Sequence, residues 1–183
     1  LRDLGAAMAP INAFLTITGI ETLPLRMERH VRNAGAVAAY LEAHPKVAWV
    51  SYAGLPSSRH HALARKYLPL GAGSVFTFGL KGGYEAGVRV VEACNIFSHL
   101  ANVGDTRSLI LHPASTTHRQ LAPEQQVAAG AGPDVIRLSV GIETVDDIIA
   151  AIGCAERCGA VRRRAATSPS SSPRRPVCCR RAC

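Results

Sequence analysis

The stretch Asp134-Val135-Ile136-Arg137-Leu138-Ser139-Val140-Gly141-Ile142-Glu143-Thr144-Val145-Asp146-Asp147-Ile148-Ile149 decides the fold. Ile136, Leu138 and Val140 alternate with Val135, Arg137 and Ser139, which is the two-residue period of a strand with two distinct faces. After the turn, the spacing of Thr144 to Asp147 fits a capping box. The period then becomes helical, with Val145, Ile148, Ile149 and Ile152 on the buried side.

Upstream the same two periods alternate. Pro123 to Ala129 reads as a helical turn, and short strands at Ile96 to Leu100 and Ser108 to Leu111 flank a polar loop, Ala101 to Arg107. From Gly73 to Leu80, Phe76, Phe78 and Leu80 alternate with Val75, Thr77 and Gly79. Gly82-Gly83 then breaks the strand before a helix carrying Tyr84, Val88, Val91 and Cys94. Val47 to Tyr52 reads as a strand and Ser58 to Tyr67 as a short helix. Leu23, Met27, Val31, Ala34, Ala38 and Leu41 form one stripe of a long helix that Thr22 can cap and Pro45 ends. Before it, Pro10 opens a short helix over Ile11, Phe14, Leu15 and Ile17, with Gly19 as its stop. The pattern predicts an α/β fold, a mainly antiparallel sheet covered by helices on one face.

Beyond Ile152 the periodicity stops. Residues 153–183 hold eight arginines against the single acid Glu156, so this stretch carries nearly all of the chain's net charge of +8. Serine and proline runs such as Ser168-Pro169-Ser170 cannot bury enough apolar surface to offset chain entropy, and a disordered tail is expected. Five of the six cysteines also lie there, leaving Cys94 in the body, which fits a reducing compartment without a disulfide framework. No apolar run approaches the roughly 18 residues of a membrane span and no signal peptide is evident, so a cytoplasmic protein is expected. Leu1 stands where an initiator methionine would, and the sequence reads as part of a longer protein.

Arg137 is the first chemical candidate. A guanidinium among Val135, Ile136, Leu138 and Val140 is expensive without an anion, and its planar fork suits a carboxylate; an edge-strand arginine reaching solvent or a structural partner would give the same spacing. Asn102-Val103-Gly104-Asp105 could offer backbone N–H groups and an amide to a small polar ligand, or be a plain turn. The run His112 to His118 is dense in hydroxyls and imidazoles but lacks a strained nucleophile elbow, so a hydrogen-bonded loop is the better reading. His60-His61 is not at metal-ligand spacing, and no glycine-rich phosphate loop is present.

Several motifs together resemble one family. Asn12-Ala13-Phe14-Leu15, Gly19-Ile20-Glu21-Thr22-Leu23, Leu25-Arg26-Met27-Glu28-Arg29-His30, Gly54-Leu55, Phe97-Ser98-His99-Leu100-Ala101-Asn102-Val103-Gly104-Asp105, His112 to His118 and Arg137 to Glu143 are similar to the C-terminal part of the Cys/Met-metabolism enzymes. These are fold-type-I enzymes that use pyridoxal phosphate (PLP). Asn102-Val103-Gly104, where cystathionine synthases and lyases typically have Ser-Leu-Gly, is most similar to the O-acetylhomoserine sulfhydrylases of that family.

The resemblance implies a C-terminal small domain over residues 21–152 with a long connecting helix, preceded in 1–20 by the end of a large PLP domain and followed by the tail. It implies that Arg137 pairs with the substrate α-carboxylate, that Asn102 contacts the same group, and that Ser115 to His118 is structural. It also implies a small amino-acid substrate, a homotetramer, and replacement of the acetate of O-acetylhomoserine by sulfide to give homocysteine. Lys46, Lys66 and Lys81 are the only lysines, and none stands in the family's Ser-x-Thr-Lys type of context. The Schiff-base lysine and most PLP contacts are therefore expected in a preceding domain, with this chain inactive alone. A shifted reading frame would explain the tail's composition. A non-catalytic basic protein that binds nucleic acid or an anionic surface through its arginine-rich tail is the alternative, against which the lack of interleaved aromatics and of any RNA-binding motif speaks.

Overall fold

A computed structural model describes residue 5 and residues 7–165, with side chains described as far as Ala155. The strands β1 (Val47–Ser51), β2 (Val75–Leu80), β3 (Leu109–Leu111) and β4 (Val135–Ser139) form one sheet in the order β1-β2-β4-β3, every pair antiparallel. The expected faces hold. Phe76, Phe78, Leu80, Ile110, Ile136 and Leu138 lie on the core face, and Arg137 and Thr77 lie opposite each other on the other face.

Among the described residues six α-helices accompany the sheet: α1 (Pro10–Glu21), α2 (Leu23–Glu42), α3 (His61–Tyr67), α4 (Gly83–Ala93), α5 (Pro123–Ala128) and α6 (Val145–Ala165). Ala34, Val37, Ala38 and Leu41 of α2, Val90 and Val91 of α4, and Ile148, Ile152 and Ala155 of α6 complete the core on one face of the sheet. Each fully buried Leu, Ile or Phe there contributes about 1.5–3 kcal/mol. The α/β architecture with helices over one face is the one the sequence pattern predicts.

The differences from the sequence reading are local. Gly19 does not stop α1, which runs on to Glu21. Thr22 stands at the start of α2 but makes no capping bond; its hydroxyl donates to the Gly19 carbonyl and accepts from Arg26 Nε. The buried line of α2 includes His30 and Asn33, while Leu23 is exposed and Met27 and Val31 are only half-buried. Ile96 to Leu100 does not form a strand; Ser98 alone bridges to Leu109, donating to the Ser108 carbonyl and accepting from Ile110 N–H. The helix α6 continues past Ile152 because Ala155 keeps the buried line of Ile148 and Ile152 going, and it reaches Ala165. The remainder of the arginine-rich stretch, 166–183, lies outside the described residues.

Candidate functional site

Arg137 sits on β4, an interior strand, between Thr77 of β2 and Leu111 of β3. An edge position is thereby ruled out. Its side chain is half-buried on the face turned away from the helices, and among the described residues it takes part in no ion pair. A guanidinium fixed on a rigid strand without a protein counter-ion is available to an anion from outside. Two residues on, the Ser139 hydroxyl is buried on the same face and has no hydrogen-bond partner among the described residues.

Asn102 lies in the loop between the Ser98 bridge and β3. Its Oδ1 accepts the Val103 N–H at 2.8 Å. Asp105 in turn accepts the Arg107 N–H at 3.0 Å, with Arg107 Nε at 3.6 Å. The Arg107 backbone N–H, followed by the Arg107 charge and the Asn102 amide, outweighs burial and holds the Asp105 carboxyl below its ordinary 3.8. Gly104 has φ 76°, the left-handed conformation that closes this turn. No hydrogen bond joins Arg137 to Asn102 among the described residues. What brings their two elements together is the segment after β4.

Val140 to Glu143 is gripped from two sides. From α2, His30 Nδ1–H donates to the Val140 carbonyl at 2.6 Å, Asn33 Nδ2 to the carbonyls of Gly141 (3.0 Å) and Glu143 (2.8 Å), and Arg29 Nη2 to that of Glu143 (3.3 Å). From the loop that carries Asn102, Ser108 and Thr106 bond to Glu143, Gly141 and Ile142. The sequence reading missed His30, Asn33, Ser108 and Glu143. The one signal that could have found two of them is a pair of polar residues within reach of the α2 apolar stripe.

The other sequence candidates are structural or remote. His112 is fully buried: its Nε2 lies 2.9 Å from the Pro133 carbonyl, so the proton belongs there, and Nδ1 accepts the Ser115 hydroxyl at 2.9 Å. Tyr84 packs edge-on against its ring at 5.0 Å. This Ser–His pair fastens the 112–118 loop, as the hydrogen-bonded-loop reading expects. His61 lines a shallow cleft of about 320 Å³ with Arg65 and Leu68, which includes neither Arg137 nor Asn102. Among the described residues no cluster of His, Cys, Asp or Glu could hold a metal ion, and no helix is long and apolar enough to cross a membrane.

The described residues do not fit the covalent attachment of PLP. All three lysines are exposed. Lys81 Nζ donates to the Pro45 carbonyl at 2.7 Å, Lys66 Nζ stands 5.1 Å from the Tyr67 ring centre, and Lys46 precedes the edge strand β1.

A family model described as "Cys/Met metabolism PLP-dependent enzyme" matches residues 1–155. O-acetyl-L-homoserine sulfhydrylase 1 of Thermus thermophilus is 55% identical over 148 residues, covering 81% of this chain and 35% of that protein. Homocysteine synthase of Schizosaccharomyces pombe is 56% identical over 150 residues, covering 82% and 35%. A solved Campylobacter jejuni chain, described as an O-acetylhomoserine (thiol)-lyase with N′-pyridoxyl-lysine-5′-monophosphate, superimposes with a TM-score of 0.77 at 44% identity, covering 85% of this chain and 37% of its own. The chain thus spans about a third of the length of the relatives it matches.

Proposed function

The chain belongs to the Cys/Met metabolism PLP-dependent enzyme family, and we propose that it contributes the substrate-carboxylate side of an O-acetylhomoserine sulfhydrylase site. That enzyme replaces the acetate of O-acetylhomoserine by sulfide and releases homocysteine. The observation that carries the proposal is Arg137, a guanidinium on an interior strand with no ion-pair partner among the described residues.

In this reading Arg137 takes both oxygens of the substrate α-carboxylate through its fork, and the Asn102 turn donates an N–H to the same group. Two anchors on one carboxylate fix the orientation of the amino acid about its Cα. PLP supplies the electron sink that the family's chemistry uses. None of the three lysines is placed to hold it, so the part assigned to these residues is to bind and orient, with no covalent step.

A homotetramer is part of the same reading. Supporting association, α1 buries none of its residues and exposes Ile11, Phe14, Leu15, Ile17 and Ile20. A cytoplasmic setting fits the buried Cys94 thiol, which forms no disulfide.

The test is kinetic, in a protein of the relatives' full length that carries residues 1–155. Arg137→Ala should raise KM for O-acetylhomoserine by about 10- to 100-fold, the loss of charge-assisted hydrogen bonds of roughly 1.5–3 kcal/mol, and leave the cofactor's absorbance unchanged. An unchanged KM would refute the role.

A further inference from the structure

We infer that Glu143 is a positioning residue, whose side chain fixes the Asn102 loop against the exit of the Arg137 strand and so sets the spacing of the two carboxylate anchors. The inference rests on the reading of Arg137 and Asn102 proposed above.

Both oxygens of Glu143 are spent on one residue of the loop. Oε1 accepts the Ser108 backbone N–H at 2.6 Å, and Oε2 accepts the Ser108 hydroxyl at 2.8 Å. The same hydroxyl oxygen accepts the Gly141 N–H at 2.8 Å, which closes a ring of bonds between loop and strand exit. Beside it, Ile142 N–H donates to the Thr106 carbonyl at 2.9 Å. Ser108 is fully buried, so each of these bonds replaces water that cannot reach it.

The arrangement requires a carboxylate. Ser108 has one hydroxyl proton and already receives the Gly141 N–H, so its partner must accept. A glutamine would keep one oxygen for the Ser108 N–H but turn an NH2 donor toward the hydroxyl, leaving that proton without an acceptor. An aspartate is one methylene short of the loop. Among the described residues Glu143 forms no ion pair, so the carboxylate is held by N–H and O–H donors and not by a cation.

The placement gives the ring its consequence. The loop's first end is tied by the Ser98–Leu109 bridge, and its second end is tied by Ser108 to Glu143. Leu109 stands opposite Ser139, two residues beyond Arg137. With Asn33 and Arg29 holding the Glu143 carbonyl from α2, the side chain of Glu143 joins the Gly141 and Ile142 N–H groups in linking the loop to a fixed backbone.

Amide hydrogen exchange and ligand titration of the full 183-residue chain test this, using Glu143→Gln and, as a second variant, Ser108→Ala. Exchange at Gly141 and in the 102–108 loop should speed up about tenfold or more in both variants, while Phe78, Ile136 and Leu138 keep their protection. Affinity for O-acetyl-L-homoserine, read from the Arg137 Nε–H resonance, should fall about fivefold or more in Glu143→Gln. The same substitution should leave the response to the carboxamide analogue unchanged. Unchanged exchange at Gly141, equal acceleration throughout the sheet, or an unaltered carboxylate affinity would each overturn the inference. If the unsubstituted chain cannot tell the carboxylate from the carboxamide, then the Arg137 reading has failed and Glu143 has no anchors to space. The exchange data separate that failure from a failure of the clamp.

Discussion

At Gly141 a methyl group has no room. A Cβ there would lie 2.5 Å from both the Ser108 nitrogen and the Thr106 carbonyl oxygen, backbone atoms that cannot swing aside. Gly141→Ala should therefore destabilise the fold by about 1–3 kcal/mol and push the 102–108 loop off the strand exit, as a denaturant midpoint and the loop's amide shifts would register. At this scale Arg137 was legible, because a charge among Val135, Ile136, Leu138 and Val140 contradicts its surroundings and asks for a partner. Glu143 and Ser108 were not. Each is an ordinary polar residue next to a turn, and the bond that gives them meaning joins positions 35 residues apart. His30 and Asn33 were hidden for a related reason: they are polar residues outside the apolar stripe of α2, and they are buried because the carbonyls of Val140, Gly141 and Glu143 lie within reach.

Among the elements, the strands with strict alternation were read correctly, since a buried face and a second face leave no freedom of register. The segment 96–100 was not. Its apolar residues suggest a strand, but β3 is three residues long and offers Ser98 a single bridge. The loop that follows owes its shape to Asp105, whose carboxyl is held low chiefly by the Arg107 N–H. Because the folded value lies below the ordinary 3.8, this contribution is complete above about pH 4 and is lost as pH falls through the lowered value. The resonances of residues 102–107 should accordingly shift below pH 4 before the sheet unfolds. Asp105→Asn should abolish that transition; a transition that persists in the variant would place its origin elsewhere.

For the molecule as a whole, one face of the sheet is closed by α2, α4 and α6, while the other carries Arg137, and the apolar α1 stands clear of the core. An amphipathic reading does not suit α1, which is apolar around most of its circumference. It is the form of helix that other protein surface covers. Phe14→Glu with Ile17→Glu should change unfolding free energy by less than about 0.5 kcal/mol yet weaken self-association in sedimentation velocity, because neither side chain packs into the core. A large loss of stability would instead make α1 part of the folding unit.

The most direct measurement is a cycle on the full-length protein that pairs Arg137 and Arg137→Ala with O-acetylhomoserine and its carboxamide. With the native arginine, changing carboxylate to carboxamide should reduce kcat/KM by about 10-fold or more, whereas with alanine the two compounds should react nearly alike. Equal discrimination by both proteins would contradict the assignment of Arg137 to the substrate carboxylate.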